Sequence, residues 1–99
     1  MKMYKLLITI MFFGLWQITT ATSFKCANYG ETCYCNGDVY YGRRYYSGTT
    51  ETTLTTIQTF DYATTTITTS VVCSNSAFSN VAPGHTKHCI CDEIGRAHV

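Results

Sequence analysis

The sequence is poor in charge and in proline, and beyond its first residues it has no long apolar run. Only 13% of the 99 residues are charged. Over residues 22–92 the positive side chains are Lys25, Arg43, Arg44 and Lys87, and the negative ones are Glu31, Asp38, Glu51, Asp61 and Asp92. Four charges against five build no basic field, which argues against capture of nucleic acid or anionic lipid. It also argues against a cationic membrane-disrupting peptide. The single proline, Pro83, lies outside the threonine-rich stretch 49–70, so that stretch lacks the composition of a mucin-like stalk. A solvent-facing strand face is the better expectation for it. There is no Asn-x-Ser/Thr acceptor. No nucleophile elbow, paired-carboxylate motif or phosphate-binding glycine loop is present either.

The N-terminus is of a different character. Lys2 and Lys5 precede an uncharged apolar run over residues 6–18, followed by the small residues of "TTATS". A charged start, an apolar core and a small-residue exit describe a secretory signal peptide. The run is short for a membrane span, which needs about 20 apolar residues. The expectation is a signal peptide over residues 1–21, cleaved after Ala21, and a secreted, extracellular domain over residues 22–92. Trp16 and all three methionines belong to the leader.

All six cysteines fall after it: Cys26, Cys33, Cys35, Cys73, Cys89 and Cys91. A secreted chain this short buries too little surface to be comfortable without cross-links, so an even set of cysteines reads as a disulfide framework. "PGHTKHCICD" also offers His85, His88, Cys89 and Cys91, the vocabulary of a zinc site. In a strand, however, Cys89 and Cys91 share one face and His88 takes the other, and His85 follows a Pro-Gly turn. No metal and no cofactor are expected. Six cysteines allow about 15 pairings. Each Cys-x-Cys is expected to serve two different bridges, with Cys35 to Cys91 as the favoured pair. Both histidines are expected to be bystanders.

The rest reads as strands and turns, an all-β, disulfide-rich β-sandwich or β-sheet domain. "CYCNGDVYYG" alternates around Cys33 and Cys35, turns at Asn36-Gly37 and resumes in a β-prone run. Gly42-Arg43 between two tyrosine pairs suggests a tight hairpin. β-branching makes residues 49–70 poor in helix, and two strands with a turn near 61–63 are expected there. "SVVCSN" and "KHCIC" are further strands.

Tyr40, Tyr41, Arg43, Arg44, Tyr45 and Tyr46 form the best binding candidate, because exposed rings stack on sugars or anchor protein interfaces. Alternation puts one ring of each pair inside. Phe78 and Asn75 are weaker candidates. An acid–base pair of His85 or His88 with Glu31 or Glu51 is the only catalytic arrangement on offer, and no spacing brings it together.

The cysteine framework resembles a short extracellular cysteine-rich module. Residues 26–42, "CANYGETCYCNGDVYYG", resemble its opening, Cys-Ala-x-x-Gly-x-x-Cys-x-Cys-x-Gly-x-Val-x-Tyr-Gly. Residues 71–91 resemble its close, Val-x-Cys-x-Asn-x-x-Phe, then Pro-Gly-x-x-Lys-x-Cys-x-Cys. Such modules stand alone or are appended to secreted, glycan-active proteins. The resemblance implies fold and compartment, and it implies that Gly30 and Gly42 are backbone-geometry positions. Tyr29 replaces a usual Glu, and "FSNV" at residues 78–81 replaces a frequent Phe-Gly-Asp-Pro.

The chain's last residues stand apart. "IGRAHV" back-translates to ATC GGA AGA GCA CAC GTC, the start of a common sequencing adapter whose next triplet is a stop. Residues 93–99 are therefore expected to be adapter read-through, testable by amplifying the transcript's 3′ end.

The expectation is a monomeric, non-enzymatic module binding an extracellular glycan, matrix or host protein. A secreted toxin or effector and a small hydrolase such as a nuclease are the alternatives. Intact mass should rise by about 6 Da on reduction if all cysteines are bridged; a gain of about 4 Da or less breaks the three-bridge framework.

Overall fold

The computed structural model describes residues 22–93. The expected signal peptide and the final six residues lie outside them. Eight strands form: β1 (Thr22–Asn28), β2 (Thr32–Tyr34), β3 (Gly37–Arg43), β4 (Tyr45–Ser47), β5 (Thr50–Glu51), β6 (Tyr62–Ile67), β7 (Ser70–Val72) and β8 (Lys87–Glu93). One helical turn, α1 (Leu54–Ile57), interrupts them. The fold is a small disulfide-rich β domain, as its composition implies. No helix among the described residues is long and apolar enough to cross a membrane.

A four-stranded antiparallel sheet in the order β1-β8-β3-β6 carries the architecture, with two-stranded ribbons β2-β7 and β4-β5 beside it. Strand β8, "KHCICDE", is central and is buried from Lys87 to Asp92. Its alternation sorts the molecule. Cys89 stands opposite Tyr41, and Cys91 opposite Val39, on one face. His88, Ile90 and Asp92 stand opposite Gly42, Tyr40 and Asp38 on the other.

The first face holds the core: Ala27, Cys33, Cys35, Val39, Tyr41, Cys73, Cys89 and Cys91. Sulfur supplies much of what aliphatic side chains supply in larger domains. Three bridges hold the ribbon side of the molecule to the sheet: Cys26–Cys33, Cys35–Cys91 and Cys73–Cys89. The favoured Cys35–Cys91 pair forms, and each Cys-x-Cys does serve two bridges. Cys35–Cys91 spans 56 residues and so removes the most unfolded-chain entropy in the loop-closure account. Cys26 is unpaired in the ladder, where the β1–β8 register slips between Lys25 and Ala27. Such a bulge re-aims one side chain, and here it accompanies the turn of Cys26 toward Cys33.

The second face is covered by the threonine-rich stretch, which differs from the two expected strands. Thr53 caps α1: its hydroxyl accepts from the Thr56 amide, while Thr56 Oγ1 accepts from the Thr53 amide at 2.8 Å. That reciprocal box satisfies two otherwise orphaned donors and lets a β-branched run make one helical turn. Ile57, fully buried, then drops onto Gly42. A Cβ on Gly42 would meet Ile57 Cγ1 at 3.0 Å, so the missing side chain makes room for the helix. Gly30, at φ +89°, is a turn position. Both glycines thus serve backbone geometry. From the rest of the stretch, Thr50–Glu51 form β5, Ser70 opens β7, and β6 is the long strand, whose outward threonines, Thr64 and Thr66, are exposed.

Nor does the chain turn at Gly42-Arg43. Strand β3 runs through both, because Arg43 is still paired with Lys87, and the tight hairpin is instead β4-β5.

Gly37 lies against the Asp92 carbonyl, which a Cβ would overlap. Gly37→Ala should destabilise the domain by about 1–3 kcal/mol, read as a lowered urea midpoint at constant m-value. An unchanged midpoint shows that the close β3–β8 approach at Gly37 is not needed.

Candidate functional site

Alternation along β3 divides the predicted contact residues. Tyr41 points into the core: it is 0% exposed, stacks on Phe78 with centroids 4.9 Å apart, and donates its hydroxyl proton to Asn75 Oδ1. Tyr41 is therefore withdrawn from the contact surface, and Phe78 and Asn75 serve it as packing and hydrogen-bonding partners. Burial, then the neighbouring Tyr29, pushes the Tyr41 hydroxyl up to about 12. It stays a donor across the physiological range.

The other predicted residues remain at the surface and acquire companions from the threonine-rich stretch. Arg43 Cζ lies 3.9 Å from the centroid of Phe60, a cation–π distance. Tyr46, 49% exposed, tilts against the same ring, with its centroid 5.9 Å from that of Phe60, so Arg43, Phe60 and Tyr46 form a ladder. Tyr40 is half-buried and pairs with exposed Tyr62 at 5.7 Å. Arg44 Cζ lies 5.1 Å from the Tyr45 ring while its Nε donates to Glu51 Oε2 at 2.8 Å. Phe60 and Tyr62 escaped the sequence reading. Their signal was the "TFDYA" spacing after α1, which sets Tyr62 opposite Gly42.

Behind this surface lies a buried polar relay. His88 is fully buried, and its Nε2 lies 2.7 Å from Thr52 Oγ1. The Thr52 hydroxyl must donate to the Arg43 carbonyl, 2.6 Å away, because a carbonyl only accepts. His88 Nε2 is consequently the donor to Thr52. Its Nδ1 faces Glu51 Oε1 at 3.9 Å and has no hydrogen-bond partner among the described residues. Order along the chain thus reads carboxylate, imidazole, hydroxyl, the sequence of a nucleophilic triad. The proton directions are those of a structural tie: Thr52 is bonded to a carbonyl, not to a base. Glu51 is also occupied, held by Arg44 and by Lys25 Nζ at 3.1 Å. The hydrogen bonds from Arg44 and then Lys25 keep its carboxyl below the ordinary value.

The structure therefore brings His88 and Glu51 together, where no spacing suggested it. His88 is no bystander. It is the residue around which α1 and the β4-β5 ribbon meet the sheet. His85 is exposed in the loop before β8. At the far end of the same face Asp38 and Asp92 stand opposite each other. Asp38 accepts from Thr66 Oγ1 at 2.6 Å, whereas Asp92 Oδ1 has no partner among the described residues. Burial, then Asp38, raises the Asp92 carboxyl above its usual range.

Comparison of the chain with protein-family models, with curated proteins and with solved structures finds no match.

Burial, then the charge of Lys25, pushes His88 down from 6.5 to about 4, with Glu51 opposing. The unfolded chain thus binds the proton first. Stability should be full above about pH 6.5 and fall as pH drops toward 4. The loss is on the order of 3 kcal/mol, and His88→Gln should flatten that part of the curve. An unaltered slope in the variant would assign the acid sensitivity elsewhere.

Proposed function

We propose that this protein is a secreted, non-enzymatic module that binds an extracellular glycan or matrix component through its aromatic surface. The observation that carries the reading is the Arg43–Phe60–Tyr46 ladder, with the Tyr40–Tyr62 pair on the neighbouring strands. Ring faces held by packing offer apolar area to the C–H face of a sugar, and at little entropic cost because the rings are already ordered. Arg43 stacked on a ring keeps its guanidinium plane open to hydroxyl or carboxylate oxygens.

The scaffold suits such a task. Three bridges hold the sheet that positions the rings, and bridges persist in the oxidising, extracellular compartment. The likeness of residues 26–42 and 71–91 to secreted cysteine-rich modules supports the same compartment. Arg44 contributes by tying Glu51 rather than by touching ligand, and Tyr45 shields that pair.

A glycan array probed with the oxidised protein tests the reading. Tyr46→Ala and Phe60→Ala should each weaken the best hits by about tenfold, the worth of one ring contact. Tyr34→Ala serves as the control, since Tyr34 is 72% exposed on β2, away from the ladder. Equal loss in all three variants, or none in the first two, refutes the assigned surface.

A further inference from the structure

Arg43 and Lys87 stand directly opposite each other on neighbouring strands, two like charges facing the same side of the sheet. Such a pair repels. Among the described residues no carboxylate neutralises either one: the ion pairs there belong to Lys25, Arg44 and His88, all with Glu51. Arg43 answers with the Phe60 ring, and its buried Nε is left without a hydrogen-bond partner. Lys87 has nothing comparable. Its stem is buried, the residue being only 7% exposed, and its ammonium ends without a counter-charge among the described residues.

Lys87 lines a pocket of about 280 Å³ together with Tyr29, Asn75, His85 and Thr86. That volume is near the lower end for small-molecule sites, enough for a single sugar ring. The walls are fixed. The Tyr29 amide donates to the Lys87 carbonyl at 3.2 Å, the Gly30 amide to Cys73 at 2.7 Å, and the Arg44 amide to Thr86 at 2.8 Å. Cys73 is in turn bridged to Cys89, two residues beyond Lys87. One wall is a tyrosine ring, 53% exposed. The opposite chemistry is donor-rich. Tyr41 donates to Asn75 Oδ1, and Asn75 Nδ2 has no hydrogen-bond partner among the described residues.

We propose that this pocket binds an acidic sugar, with Lys87 taking its carboxylate or sulfate, Asn75 Nδ2 and Thr86 its oxygens, and the Tyr29 ring its apolar face. The ring assignment rests on the glycan reading above; the demand for an anion rests on Lys87 and Arg43 alone. The pocket also gives Tyr29 and Asn75 a use that the aromatic ladder does not, and it lies on the same side of the sheet as Arg43. A charged chain bound here would continue past Arg43 toward the ladder.

Titration of the oxidised, isotope-labelled protein with D-glucuronate, D-glucose 6-sulfate, D-glucose and inorganic sulfate, followed by amide chemical shifts, tests the assignment. The acidic sugars should perturb Tyr29, Thr86 and Lys87 and bind about tenfold or more tightly than glucose, the worth of one charge-assisted hydrogen bond. The glucuronate and glucose 6-sulfate arms tell carboxylate from sulfate. Lys87→Gln should abolish the preference for acid, and Tyr34→Ala, at an exposed ring on β2, should leave it intact. Should Lys87→Gln misfold, Tyr29→Ala, on an exposed ring, takes its place and should weaken the sugars but not inorganic sulfate.

Equal binding of glucose and glucuronate, shifts confined to other residues, or a preference that survives Lys87→Gln overturns the proposal. If neutral glycans still bind through Tyr46 in that case, the module reading survives it. If inorganic sulfate binds as tightly as either sugar, the pocket is an anion site and its carbohydrate assignment fails.

Discussion

Two sulfurs leaving the same face of one strand set the limits within which everything else is arranged. Cys89 and Cys91 lie in β8, the strand flanked by β1 and β3, and each is bridged to a different part of the chain. Their side of β8 is thereby committed to the core. Because strand side chains alternate, His88, Ile90 and Asp92 are committed to the opposite face by the same act. A chain with so few aliphatic residues has little hydrocarbon to offer either layer. Buried cysteines substitute for it on the first face, and their bridges also restrict the unfolded ensemble.

The second face solves the same shortage with polar groups. Thr52 and His88 occupy positions where a larger domain would place leucine or isoleucine, and their hydrogen bond keeps the burial tolerable, while Glu51 closes the relay from a partly exposed position. The arrangement is sensitive to protons because desolvation opposes a charged imidazole, and Lys25 nearby opposes it further. Asp92 meets the same difficulty in reverse, a carboxylate short of partners beside another carboxylate. A small domain that builds its interior from titratable groups accepts a stability that depends on pH. Ile57 and Ile90 are the buried aliphatic side chains on this side, and Ile57 fits only because Gly42 has no side chain.

Function falls to what the sheet leaves outside. β3 turns Tyr41 inward and keeps Tyr40 partly outward, and the residues following α1 bring Tyr62 to Tyr40 and Phe60 to Arg43 and Tyr46. Arg43 is the common member. It stacks on Phe60 on one side and opposes Lys87 across the ladder on the other. The aromatic surface and the Lys87 pocket are therefore neighbours by strand register. The proposed binding of acidic sugars rests on this pairing of a stacked ring with unneutralised cations.

The sequence by itself determined the strand class, the use of all cysteines in bridges and the opposition of His88 to Cys89 and Cys91. These follow from cysteine number, β-branched composition and a period of two, all local properties of the chain. The tertiary structure alone decided which face each period met. Tyr41 and Tyr40 are equivalent in the sequence; pairing with Cys89 and stacking on Phe78 bury the first. His88 gained its role from Thr52, 36 residues away, and the threonine run made a helical turn because Thr53 and Thr56 cap each other over the space above Gly42. Beside the run of tyrosines and arginines stand Tyr62, carried there by β3–β6 pairing, and Phe60, which meets Arg43 and Tyr46. Parity along a strand is written locally, whereas burial is a property of what packs on top, and that is supplied by distant segments.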